Sequence, residues 1–354
     1  MLDGLIAPFE TPLALDLRFA DVPVRVLTNS TEIRTGLGRY YAPWVAEAGD
    51  GGDGAAIVRL VQAEPPEMAG FVSVARGDGK PPKEAVCDVR GGRLVRKLET
   101  GVLMGVERHG AFAVGDLVRH LNQGINLINN RYAKAVLRRG HLLLHASAVA
   151  RDGRAVALAG PPGAGKSTAS LHLVEQGFRF VSNDRLLVRP DADGVEALGY
   201  PKQPRVNPGT LVHHPRLRDL LEPDDHAALA AMPPADLWKL ERKCDVDLET
   251  IYGEGTFTLQ ASLIALVVLT WRPAGAGLAV RALDRSEALA CLPLIRKDLG
   301  VFDLDRRRRQ DSVREVLAYS ALFSRIAVIA ISGRVDFAAL APVVSEALAA
   351  SARA

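Results

Sequence analysis

Cysteine is scarce in this chain. Only Cys87, Cys244 and Cys291 occur, far apart and without C-x-x-C spacing. Such a set excludes a disulfide scaffold, gives no zinc site, and suits reduced thiols. Net charge is also nearly absent. The 44 Lys and Arg residues against 41 Asp and Glu leave +3, so the total supplies no reason to expect a nucleic acid partner. Long hydrophobic runs are missing as well. The most apolar stretch, Ala261 to Trp271, is far short of the ~20 residues of a membrane helix and reads as a buried strand. No membrane association is expected. Met1 to Thr11 has no basic region followed by an apolar core, so it does not read as a signal peptide. The expected location is therefore cytoplasmic. No internal repeat is visible, and the one low-complexity tract, Gly49 to Gly54, reads as a loop.

What is present is an ordinary globular balance, with 48% hydrophobic and 24% charged residues. At 354 residues the chain has room for two domains and a large core. From Leu13 to Val26 apolar residues recur every second position, which predicts two strands turning at Ala20-Asp21. Ser30 and Thr31 suit the cap of a short helix. Strand-like runs follow at 55–61, 70–75, 84–89, 94–98 and 102–114, with turns at Arg90 to Gly92 and Arg108 to Gly110. Residues 1–114 thus read as a small, mostly antiparallel α+β domain, and 115–354 as a second domain. Asp116 is expected to cap an amphipathic helix carrying Leu117, Leu121, Ile125, Ile128, Tyr132 and Val136, with Gly140 at its end. Its basic end (Arg131, Lys134, Arg138, Arg139) suits either a helix C-terminus or a partner-binding face.

The second domain carries the strongest motif, Gly160-Pro161-Pro162-Gly163-Ala164-Gly165-Lys166-Ser167. This is G-x-x-x-x-G-K-S, a phosphate-binding loop. Its glycines let backbone N–H groups turn inward around phosphate oxygens. Lys166 would reach the outer phosphates, and the Ser167 hydroxyl would ligate Mg²⁺. The motif requires a strand before it and a helix after it, and both are expected: Arg154 to Ala159 is a short apolar run, and Ser167 to Gln176 contains no breaker. The helix N-terminus adds partial positive charge. The loop from Gly160 to Thr168 therefore predicts a nucleoside triphosphate site. Upstream, His141 to Val149 and a turn at Arg151 to Gly153 give a strand-turn-strand-loop-helix order. That order differs from the parallel units of ordinary nucleotidases.

Three features together resemble HPr kinase/phosphorylase and its serine-kinase relatives, within them the subgroup called HprK-related kinase B. His145 stands fifteen residues before Gly160, as the family histidine does. The loop matches. Asn183 and Asp184, in Val181-Ser182-Asn183-Asp184, occupy the places of the family's paired acids, seventeen and eighteen residues after Lys166. The intervening Leu173, Gly177, Phe180 and Val181 fit its pattern too. The close likeness covers about residues 145–188. The resemblance implies an α/β catalytic domain of HPr kinase and phosphoenolpyruvate-carboxykinase type with a mixed sheet. It implies ATP and Mg²⁺ as cofactors, and a serine of a protein or peptide as acceptor, with room for a homo-oligomer. It places His145 near the reacting phosphate as a catalytic group, beside Lys166 and Asp184, and gives Asp184 with Ser167 to the metal. One departure matters: the first acid is Asn183, and an amide accepts no proton at neutral pH. The alternatives are a nucleotide-dependent switch that hydrolyses ATP without kinase activity, and a small-molecule kinase.

Other residues have two readings each. Lys202 and Arg205, in the proline-punctuated loop Tyr200 to Gly209, suit a solvated loop or a phosphate clamp. Lys239, Arg242 and Lys243 read as surface, with one lysine able to enter the site. His213, His214 and His226 have no zinc spacing and read as surface. Arg306 to Arg309 reads as a solvated entry to a helix from about Asp311 to Phe323. The run Ile326 to Ile331 reads as a core strand, and a last alanine-rich helix starts or breaks at Pro342.

Overall fold

A computed structural model of the chain describes residues 2–47, 49, 54–77, 79–272, 276–304 and 313–350. The arginine run at 306–309 and most of the glycine tract at 49–54 lie outside them. The chain is a mixed α/β protein with two large mixed sheets. It divides into two compact units, Met1–Gly140 with Asp298–Gln310, and His141–Lys297 with Asp311–Ala354.

In the first unit, the period-two stretch forms β1 (Leu13–Phe19) and β2 (Val22–Thr28), paired antiparallel about Ala20 at φ 52°. The sheet continues with β3 (Ala56–Gln62), β4 (Val72–Ser73), β5 (Glu84–Val89), β6 (Gly92–Lys97), β7 (Leu103–Glu107) and β8 (Gly110–Gly115). Their order is β1-β2-β3-β8-β7-β6-β5-β4. Among the described residues of this sheet, only the β2–β3 and β3–β8 pairs are parallel. A short helix α1 (Leu2–Ile6) buries Leu2 and Ile6 against Leu94, Leu103 and Phe112. Helix α2 (Thr31–Tyr40) is capped as its sequence predicts: Ser30 Oγ accepts from the Ile33 N–H at 3.2 Å.

Helix α3 (Leu121–Arg138) differs from expectation in three ways. Asp116 accepts from the Arg119 N–H and closes a separate turn, so the helix begins four residues later than its cap residue suggested. It packs on β2, β3 and β8, so the first unit runs to Gly140 and not to residue 114. Its basic residues are also internal ties. Arg131 donates to the Glu107 and Arg108 carbonyls, and Lys134 pairs with Asp303 at 3.1 Å with both side chains almost fully buried. A buried cation stays charged only when it is paired in this way.

The second unit holds β9 (Leu142–Leu144), β10 (Ala146–Arg151), β11 (Arg154–Ala159), β12 (Arg179–Ser182), β13 (Leu186–Pro190) and β14 (Val195–Gly199). A small ribbon pairs β15 (Arg205–Val206) with β16 (Cys244–Asp245). The sheet closes with β17 (Gln260–Leu269), β18 (Ala279–Ala282) and β19 (Ala327–Ser332). Its order is β12-β10-β11-β17-β14-β13-β9, and the second half of β17 pairs with β19. The β11–β17 and β17–β19 pairs are parallel. The apolar run 261–271 is therefore the central strand of the sheet, which explains its hydrophobicity on both faces.

The β10–β11 hairpin turns at Asp152 and Gly153, both at positive φ. Its register sets Ala146 opposite Ala159, Ala148 opposite Ala157 and Ala150 opposite Ala155. Side chains alternate across a strand, so one face of the hairpin is a ladder of methyl groups. Tyr319, Leu322 and Phe323 from helix Val313–Phe323 share one buried cluster with these alanines, together with Ile295. The opposite face carries Ser147, Val149, Val156 and Leu158 and meets α4 (Lys166–Glu175), with Ser170 Oγ donating to Ser147 Oγ at 2.8 Å. The last helix, Leu340–Ala350, packs against α4, β11 and β17.

The all-alanine ladder yields the first prediction. Ala157→Leu adds volume where Tyr319 and Phe323 already pack, and should lower unfolding stability by about 1–3 kcal/mol in urea titration. An unchanged midpoint would mean that the helix does not sit on this face.

Candidate functional site

The loop between β11 and α4 is shaped by what surrounds it. Gly160 has φ 153°, and a Cβ there would lie 2.6 Å from the Leu269 carbonyl of β17, a backbone atom that cannot yield. Gly165 is left-handed at φ 79° and serves as the N-cap of α4. The loop is tied from behind by Trp271, whose Nε1 donates to the Ala164 carbonyl at 2.8 Å. The Phe337 ring meets Trp271 edge-on at 5.3 Å, stacks on His172 at 5.0 Å, and lies against Gly165. Trp271 and Phe337 thus hold a glycine-rich segment that on its own would be loose.

Lys166 is 8% exposed. Its Nζ donates to the Gly160 carbonyl at 2.8 Å and to the Pro161 carbonyl at 3.2 Å, so the ammonium caps its own loop. Burial, reinforced by Lys297, pushes it down to about 8. Beneath it a buried hydroxyl relay runs from Ser170 to Ser147 and on to the Lys166 carbonyl. Ser167 follows, half-buried, on the first turn of α4. Pro162 is exposed. Thr168 shares a hydroxyl hydrogen bond with Thr210 at 2.7 Å, and its oxygen is engaged there.

Asp184 follows β12, two residues past Ser182. Burial alone would raise its carboxyl, but Lys297 and Arg185 outweigh that and hold it well below the usual carboxylate range. Its side chain is crowded by protein yet 48% open to solvent, and its Oδ2 accepts from Lys297 Nζ at 2.7 Å. His145 lies between β9 and β10, with its N–H held by the Ile295 carbonyl at 2.6 Å. Burial, followed by Lys166 and Lys297, pushes the imidazole down to about 4, with only Asp184 opposing. At neutral pH His145 is therefore an uncharged ring. Lys166, Asp184 and His145 thus lie close enough to feel one another's charge.

The structure adds members that spacing did not show. Lys297 stands alone in the sequence and carries no motif. Arg185 lies over the Tyr200 ring at 5.4 Å. Lys202 is depressed by burial while Asp184 supports its charge, which puts this lysine of the proline-rich loop at the site. Its neighbour Arg205 pairs with Asp245 at 3.0 Å. Lys243 bears on Lys166, whereas Arg242 pairs with Asp225. Asn183 has a buried Oδ1 with no hydrogen-bond partner. His214 corrects its surface reading: it is buried, 5.0 Å from the His172 ring.

The donors fit a hard cation. Asp184 offers a carboxylate and Ser167 a hydroxyl, and the described residues contain no cluster of three or more His, Cys, Asp or Glu. Magnesium needs few protein ligands because it keeps water and phosphate oxygens, whereas zinc would want nitrogen or sulfur. The cations Lys166, Lys202, Lys297 and Arg185 around one carboxylate suit a polyanion. Among the described residues no helix is long and apolar enough to cross a membrane.

Burial also pushes His172 down to about 4, with His214 assisting. Its pKa lies below the ordinary 6.5, so the folded state prefers the neutral ring. The resulting stability is complete above pH 6.5 and is lost as pH falls from 6.5 towards 4. Unfolding free energies from urea titration should fall over that window, by on the order of 1–3 kcal/mol, and His172→Asn should flatten the fall. An equally steep decline in the variant would remove His172 from the account.

No family model and no curated protein matches the chain. Among solved structures, it is similar to the Hpr(Ser) kinase/phosphatase from Coxiella burnetii at 11% identity and a TM-score of 0.29. The match covers 59% of this chain and 95% of that one, and is too slight to bear on function.

Proposed function

We propose that the chain is an ATP- and Mg²⁺-dependent kinase of HPr-kinase-like architecture that phosphorylates a serine hydroxyl of a protein or peptide. The observation that carries this reading is the meeting of the Lys166 loop, Asp184 and His145 in one cationic site. The Ala164 N–H is taken by the Pro161 carbonyl, so the amides of Gly163, Gly165, Lys166 and Ser167 with the Lys166 ammonium would take the β- and γ-phosphates, Lys166 leaving its loop carbonyls for phosphate oxygens. Asp184 and Ser167 would hold Mg²⁺, which supplies charge neutralisation when bound. Lys202 and Arg185 extend positive charge around the same space.

Transfer requires the acceptor oxygen to form a bond to the γ-phosphorus while the bond to the ADP oxygen breaks. The hydroxyl proton then leaves to a base or to water. Asn183 accepts no proton. His145 is neutral, so a ring nitrogen has a lone pair. It is a weak base while Lys166 and Lys297 surround it. The negative charge of bound phosphates would raise its affinity for a proton towards neutral pH. Positioning and charge neutralisation carry most of the barrier reduction in such a site. The protein acceptor belongs to this proposal and rests on family resemblance, whereas the expectation of no nucleic acid or membrane partner rests on the small net charge and the lack of a long apolar run.

A second reading has one observation behind it. Asn183 replaces an acid, and its buried carbonyl oxygen has no partner. That favours a nucleotide-dependent switch that hydrolyses ATP slowly and transfers to no serine.

The test is incubation of the purified protein and host lysate with γ-labelled ATP. A labelled protein band that is lost with Asp184→Ala is the expected result. Label released only as free phosphate would support the switch. Lys166→Ala should weaken nucleotide binding by at least about tenfold. Asp184→Ala should cut turnover by about a hundredfold while changing binding much less. Unchanged turnover in Asp184→Ala would overturn the metal role.

A further inference from the structure

Two lysines of the site are already occupied by protein oxygens. Lys166 sits on the Gly160 and Pro161 carbonyls, and Lys297 on Asp184, where its Nζ is 2.7 Å from Oδ2 and 3.4 Å from the backbone carbonyl. A divalent cation approaching the Oδ2 of Asp184 therefore meets an ammonium already bonded there. The two cations would compete for one carboxylate, since neither gains from sharing it with the other.

The backbone around Lys297 is held firmly. Its N–H donates to the Leu143 carbonyl at 3.1 Å, Arg296 bridges to Leu144, and the His145 N–H returns a bond to Ile295. The chain at 295–297 is thus an extra rung beside β9. What can move is the four-carbon side chain, whose ammonium is a point charge with three freely rotating donors. The Lys297 side chain is 23% exposed, and Asp184 is open enough to release it.

We propose that Lys297 gates the metal position: it holds Asp184 until a nucleotide arrives, then transfers its ammonium to the terminal phosphate and frees the carboxylate for the metal. This rests on the nucleotide reading above and goes beyond it. Metal and nucleotide then bind with positive coupling, because each removes the obstacle the other faces. The device also keeps a strongly cationic site compensated when no polyanion is present.

The experiment is calorimetric titration with Mn²⁺ alone, with adenylyl imidodiphosphate in EDTA, and with both. In the wild type, Mn²⁺ alone should bind weakly and the nucleotide should tighten it at least about tenfold. Lys297→Ala should tighten Mn²⁺ alone about fivefold or more, weaken metal-free nucleotide, and reduce the coupling. Lys297→Arg should retain the wild-type pattern. Opposite shifts separate a gate from a structural role, which would weaken both ligands together. Unchanged or jointly weakened binding in Lys297→Ala overturns the gate, as does Mn²⁺ binding that survives Asp184→Asn. If the wild type binds no nucleotide even with Mn²⁺, the nucleotide reading itself falls. Thermal melts establish that each variant is folded, and Lys297→Gln stands in if the alanine variant is not.

Discussion

One carboxylate balances the charge of the site. Asp184 stays ionised despite the burial that opposes it, because Lys297 bonds to it directly and Arg185 adds its charge. Without it, Lys166, Lys202, Arg185 and Lys297 would face one another across a space from which water is partly excluded. Burial, with Lys166, Lys297 and Arg185 adding to it, holds His145 neutral. Each group's protonation state therefore depends on the others, and a polyanionic ligand would alter all of them at once.

Packing brings these groups to one point. The methyl ladder on β10 and β11 lets helix Val313–Phe323 approach one face, while α4 takes the other. That places the glycine-rich loop at the end of β11, Asp184 after β12, and His145 at the start of β10. These strands are neighbours in the sheet, although residue 145 precedes 184 by nearly forty positions. Behind the loop, Trp271 and Phe337 convert a glycine-rich turn into a fixed one.

Much of this was legible from local pattern. Period-two alternation marked β1 and β2, Ser30 marked the start of α2, and the glycines with Lys166 and Ser167 marked the loop. Each is a contact over a few residues, where spacing determines geometry. The reading failed where a residue's partner lay far along the chain. Arg131 and Lys134 resemble favourable charge at a helix C-terminus until Glu107, Arg108 and Asp303 appear beside them. His214 resembles surface until His172 covers it. Asp116 resembles a helix cap, and the competing turn at 117–120 takes its carboxylate.

The sequence by itself determined the strand, glycine-rich loop and helix over Arg154 to Glu175, and the alternating strands β1 and β2. These follow from residue type and local spacing. Only the tertiary structure decided that Lys297 shares a hydrogen bond with a residue 113 positions away. It alone decided that Lys202 belongs to the site, that Trp271 supports the loop, and that α3 completes the first unit. The reason is physical. A lone lysine or tryptophan has no periodicity to betray it, and its role depends on which distant backbone the sheet order carries to its side.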